Sequence, residues 1–234
     1  TVLRIERTGL HRRLALAILK RSGSTSISLL FAFMTATALL SAIISNTSTA
    51  LIMMPMALAV LAGGGVKPGD TTGLPGALVM GIAFAASIGG LATLVGSPTN
   101  AISAALIEKQ LGLRIDFATW AAFGVPIVLG SVPVAGWIIA RVQKLGDDQF
   151  DLTQARTAIA HQGAWSAPER RLVPIVALTV LAWITLPFTE GLFPKGGLTD
   201  GTIAVIAGLA LFLIPDGTGR AMLNWREANR APWD

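Results

Sequence analysis

With 234 residues, 53% of them hydrophobic, 13% charged and a mean hydropathy of +0.65, the chain is too apolar for a soluble domain, where about a quarter of residues carry charge. It reads as an integral membrane protein. Cysteine is absent, which excludes a disulfide framework, a thiolate nucleophile and Cys-based metal sites. The net charge of +5 fits basic residues gathered in cytoplasmic loops and does not call for nucleic-acid binding.

Residues 1–23 set Arg4, Arg7, Arg12, Arg13, Lys20 and Arg21 against the single acid Glu6, with Leu10, Leu14, Leu16, Ile18 and Leu19 interleaved. This pattern predicts an amphipathic helix on the cytoplasmic membrane surface; a solvated basic loop is the alternative. Residues 24–63 form the next unit. Ser28 to Ala62 is apolar throughout and would make a helix of about 50 Å, too long for one span of a core about 30 Å thick. The break falls at Ser45-Asn-Thr-Ser-Thr49, where short polar side chains favour caps over helix interiors. Two arms, Ser28–Ile44 and Ser48–Ala62, meet there. The absence of charge from Ser22 to Val66 favours a re-entrant hairpin with its tip near the midplane, although each arm is nearly long enough to cross.

Residues 72–140 contain a broken transmembrane helix and a following span. Gly89-Gly90 and Gly96-Ser-Pro-Thr-Asn100 interrupt the apolar run from Leu74 to Ile107; Ser97 is a natural N-cap and Pro98 fits the first helical position. Phe117 to Ala140 is the span. Residues 141–171 read as a cytoplasmic connection, 172–215 as two transmembrane helices, and 216–234 as a cytoplasmic segment leading to a further span. With both hairpin ends on one side, all but Lys109, Arg114 and Lys195 of the eighteen lysines and arginines share that side, which makes it cytoplasmic. The predicted fold is an all-α integral membrane protein with a re-entrant helical hairpin and about four transmembrane helices, one of them broken.

At the Ser45–Thr49 tip, the carbonyls ending one arm meet the N–H groups and positive dipole end of the next. Oxygens of Ser41, Ser45 and Asn46, with carbonyls around Gly96, suit a hard cation without fixed negative charge. Asn46, Thr47 and the N–H groups after them suit an anion. Paired discontinuities of this kind are the design of secondary transporters with midplane sites, so the residues point to an ion-coupled anion transporter. A Ser-Asn-Thr cluster that only holds helices together is the competing reading. No nucleophile–base pair, phosphate loop or metal-ligand spacing suggests an enzyme.

Ser41-x-x-x-Ser-Asn-Thr47, followed by an apolar arm with Pro55, and Ser87-Ile-Gly-Gly-Leu-Ala-Thr-Leu-Val-Gly-Ser-Pro-Thr-Asn100 together resemble the first repeat of the divalent anion/sodium symporter family. The resemblance runs over nearly the whole chain, from the basic segment onward. It implies part of an inverted-repeat transporter fold: the end of the first repeat and the start of the second, the middle of a longer protein. Carried over by position, Ser41, Ser45, Asn46 and Gly96 would hold sodium, and Asn46 and Thr47 would contact a substrate carboxylate. Ser97, Pro98 and Asn100 belong to the second motif, where the family's Pro-Pro is here Pro98-Thr99. The implied activity is sodium-coupled symport of di- or tricarboxylates such as succinate, malate or citrate, with Na+ as coupling ion and no other cofactor. The alternatives are a related permease for sulfate or another oxyanion, a proton-coupled relative, or a non-transporting membrane scaffold. The resemblance also implies a homodimer in the plasma membrane, the inner membrane of a bacterium. No second Ser-Asn-Thr copy occurs in this sequence, so the chain is expected to hold one half of a site.

Overall fold

Hydroxyls and glycines set the helix boundaries, as the residues on either side of each interruption show. The computed structural model describes residues 23, 25–67, 69–146, 166–189, 198–215, 217, 221–223 and 225. The surface helix expected over 1–23, most of the 141–171 connection and most of the 216–234 segment lie outside the described residues. Those that are described form seven α-helices and no strand: α1 Ser26–Ser41, α2 Asn46–Gly63, α3 Leu74–Gly89, α4 Pro98–Leu111, α5 Phe117–Val142, α6 Ala167–Thr189 and α7 Asp200–Leu213. Three of them, α2, α5 and α6, are long and apolar enough to cross a membrane; α1, α3 and α7 are apolar but shorter.

The chain divides into two compact units. One contains α1 to α4 and most of α5. Thr25 opens α1 by accepting the Ser28 N–H at 3.2 Å, and the helix packs chiefly on α3. The approach is close because α3 is small where they meet: a Cβ on Gly89 would lie 2.5 Å from Ala38 Cα, so backbones touch as they do in small-residue membrane interfaces. Leu29, Leu30, Phe33, Met34, Leu78 and Ile82 fill the core between the two helices. Helix α2 turns Thr49, Met53, Ala57, Val60 and Leu61 inward. In the loop before α3, Asp70 accepts from the Thr72 N–H at 3.1 Å and hydroxyl at 3.0 Å. These bonds, the backbone one foremost, hold its carboxyl below the usual range.

The other unit contains residues 116–118, α6, α7 and the residues following α7. A capping box starts α6: Ser166 N–H donates to Glu169 Oε2 at 2.6 Å and Glu169 N–H to Ser166 Oγ at 3.3 Å. The helix therefore begins five residues before the expected span, inside the stretch read as connection. Trp183 stacks on Phe117 with ring centroids 4.8 Å apart and donates its indole N–H to the Asp200 carbonyl at 3.1 Å.

The outward faces are apolar. Phe123 and Leu129 on α5 are each 70% exposed, and Leu178 on α6 and Leu209 on α7 are also bare. Apolar surface on this scale needs a non-aqueous surrounding, and hydrocarbon supplies it.

Candidate functional site at the hairpin tip

Helix α1 ends at Ser41 and α2 starts at Asn46, so only Ala42–Ser45 form the tip. The Ser-Asn-Thr run is therefore the N-cap and first turn of α2. Ser45 sits at the N-cap with extended ψ, and its Oγ accepts the Ser48 N–H at 3.3 Å, as a capping hydroxyl should. The second break runs from Gly90 to Ser97, between α3 and α4. Ser97 has the extended backbone of an N-cap and Pro98 follows at the first position, as the sequence predicts, but the Ser97 side chain makes no capping bond.

The two breaks touch. Fully buried Ser41 places its Oγ 2.6 Å from the Ala86 carbonyl and 2.7 Å from Asn46 Oδ1. Asn46 lies over Gly90, where any Cβ would collide with the Asn46 amide. Gly96 lies against the end of α1: a Cβ there would be 3.0 Å from the Ser41 carbonyl oxygen and 2.5 Å from that of Gly90. These glycines are needed for close approach.

Two further side chains tie the elements together. The Thr93 hydroxyl donates to the Ala42 carbonyl and accepts the Gly96 N–H at 3.1 Å. Asn100, 3% exposed, donates both hydrogens of its Nδ2, to Gly90 O at 2.7 Å and Thr93 O at 2.8 Å. The 90–96 loop is thereby closed on itself and held to the tip. Of the carbonyls expected to face the gap, that of Ala42 is taken by Thr93 and that of Ser45 by the Thr49 N–H at 2.9 Å.

The structure thus brings together Ser41, Asn46 and Gly96, with Ser45 beside them as the cap. Thr47 is on the exposed side of the first turn of α2, and Pro98 is exposed at the start of α4. Gly90 and Thr93 have roles the sequence reading did not assign. Thr93 is the one hydroxyl between Gly90 and Gly96, a signal that could have found it. The cluster contains no ionisable side chain, and the first turn of α2 has no acid. Among the described residues no three His, Cys, Asp or Glu side chains group to hold a metal ion. What the cluster offers is neutral oxygen, matched to a weakly bound hard cation, beside a helix N-terminus matched to an anion. A cavity of about 550 Å³ at the other end of α2, lined by Leu58, Lys67, Asp70 and Gln143 among others, includes none of these residues.

Comparison with known proteins gives the family. The profile of a family described as citrate transporter matches residues 2–234. The chain is 32% identical over 243 residues to the sodium-dependent dicarboxylate transporter SdcS of Staphylococcus saprophyticus, covering 98% of this chain and 47% of that protein. It is 32% identical over 246 residues to the protein of the same name from Staphylococcus aureus, covering 98% and 46%. The chain spans about half the length of the curated relatives it matches. Its relatives are transporters by name, in keeping with a non-enzymatic role. The Ser-Asn-Thr tip, the glycine-rich break pressed against it and the match along the whole chain place this protein in the citrate transporter family, among the divalent anion/sodium symporters.

Proposed function

We propose that the chain is part of a sodium-coupled symporter that imports di- or tricarboxylates such as succinate, malate or citrate. The observation that carries this reading is the convergence of Ser41, Asn46 and Gly96 into an oxygen-rich, uncharged junction of two interrupted helices. It lies in a chain whose relatives are named for sodium and dicarboxylates. Sodium is held by Ser41, Ser45 and Asn46 with the Gly96 carbonyl, and a substrate carboxylate is met by Asn46 and Thr47 at the N-terminus of α2. Ser97, Pro98 and Asn100 shape the second wall of the site.

Charge accounts for the coupling. No Lys or Arg stands in the cluster, so a carboxylate gains its positive counterpart from the sodium ion itself. Sodium binds first, and by linkage the substrate tightens sodium as much as sodium tightens substrate.

In this reading α1 and α2 form a re-entrant hairpin entering from the cytoplasm, and α3 with α4 form a helix broken at membrane mid-depth. The protein is a multi-pass protein of a bacterial plasma membrane. The second half-site comes from an inverted repeat, and the assembly is a homodimer. Uptake of labelled succinate and citrate by the full-length protein, with sodium or choline outside, tests the function. Sodium-stimulated uptake of at least one is expected. Uptake indifferent to sodium would refute the coupling, and uptake of neither would refute the substrate class.

A further inference from the structure

A threonine buried in a helix ordinarily returns its hydroxyl to the carbonyl one turn back. Buried Thr37 does so to Phe33 at 2.6 Å and buried Thr179 to Ile175 at 2.7 Å, and half-buried Thr185 and Thr189 do the same to Leu181 at 2.9 Å and to Thr185 at 3.2 Å. Thr49 differs. Its side chain is completely buried and its Oγ1 has no hydrogen-bond partner. The carbonyl one turn back, that of Ser45, accepts only the Thr49 N–H. The hydroxyl is left with its proton and lone pairs unused, where an unmade hydrogen bond costs stability.

Its place is informative. Thr49 follows Ser45 by four residues and Asn46 by three, so the three side chains share one face of the first turn of α2. Thr49 also heads the inward stripe that continues through Met53, Ala57 and Val60, on the helix that packs against α3 and α1. An unpaired, fully buried oxygen therefore stands one turn inside the N-terminus of α2, on the face that carries Ser45 and Asn46.

We propose that Thr49 is a further residue of the cation site, its hydroxyl oxygen reserved for the sodium ion seated among Ser41, Ser45 and Asn46. This rests on the proposed function and adds a residue outside the Ser-Asn-Thr run. Sodium repays the unmade bond, because a hard cation takes neutral oxygen as a ligand. The ion-free protein thus carries a penalty that loading removes, which favours the loaded form.

The test is thermal unfolding of the purified full-length protein in rising sodium chloride, with choline chloride keeping ionic strength constant. Wild type, Thr49→Val and Thr49→Ser are compared. Valine keeps the shape and removes the hydroxyl; serine keeps the hydroxyl. Without sodium, Thr49→Val is expected to be at least as stable as wild type, since a methyl group replaces an orphaned hydroxyl. It should need about tenfold more sodium for half of the stabilisation, while Thr49→Ser stays within about twofold of wild type. If Thr49→Val does not yield folded protein, Thr49→Ala takes its place with the same readings. A valine variant with the wild-type sodium response would overturn the proposal and leave the hydroxyl a packing feature. So would one that lost succinate affinity at saturating sodium while keeping that response. A wild type whose unfolding ignores sodium would instead bring down the sodium reading itself, and the Thr49 assignment with it.

Discussion

The hairpin tip and helix α6 use the same residue types in opposite ways. In α6, Thr179, Thr185 and Thr189 close their hydroxyls on carbonyls of their own helix, and Ser166 and Glu169 cap its start. These hydroxyls and the start of the helix are answered within a turn of their own chain. At the tip, hydroxyls reach across the chain: Ser41 to Ala86, 45 residues away, and Thr93 to Ala42, 51 residues away. The difference lies in helix continuity. An unbroken helix pairs its own backbone groups, whereas an interrupted one leaves carbonyls and N–H groups to be met by other elements or by a ligand. Hydroxyls beside a break become a site; in an unbroken helix they remain structure.

The sharpest way to break this contrast is to push the two interruptions apart. Gly90→Val places a branched side chain where the Asn46 amide lies, and the amide must move off Ser41. Sodium-stimulated uptake is expected to fall at least about tenfold, or ~1.4 kcal/mol, while the protein still reaches the membrane. Unchanged uptake would show that Asn46 does not work from the position seen here.

A matched pair of substitutions then compares the regions directly. Thr93→Val leaves the part-buried Ala42 carbonyl without its donor, at a cost of about 1–3 kcal/mol, while the Gly96 N–H keeps the Thr93 carbonyl. It should weaken sodium binding because the 90–96 loop is no longer fastened to the tip. Thr185→Val removes a hydroxyl that bonds only within α6 and should change stability by no more than about 0.5–1 kcal/mol, with no effect on sodium. Thermal unfolding across a sodium series reads both. Equal sodium responses in the two variants would erase the distinction between site hydroxyls and structural ones.

Much of this arrangement is legible in the sequence because the breaks are local events. An apolar run too long for one span, interrupted by Ser45-Asn-Thr-Ser-Thr49, had to bend. Pro98 marked the start of α4 through the fixed φ of proline, and Ser97 took the N-cap place before it without a side-chain bond. The boundary of α1 was less legible: it ends at Ser41, three residues before the expected Ile44, because Ser45 serves the next helix as its cap. The Ser166–Glu169 capping box was also present in the sequence as Ser-x-x-Glu, hidden within a stretch whose charge marked it as a connection. The partners of Ser41, Thr93 and Asn100 were not legible. Those of Ser41 and Thr93 depend on α1 and α3 meeting through Gly89, and those of Asn100 on how the 90–96 loop folds back on α4, packing facts that no periodicity encodes. Nor could sequence separate Thr49 from Thr37, since both are buried threonines in apolar helices and only their hydrogen bonding distinguishes them.

The account stands on Asn46 as the residue shared by cation and substrate. Radiosodium binding to purified full-length protein, wild type against Asn46→Ala, measures this most directly. The account predicts saturable binding in the wild type and its loss in Asn46→Ala, with membrane insertion and folding retained. Wild-type sodium affinity in Asn46→Ala would contradict it.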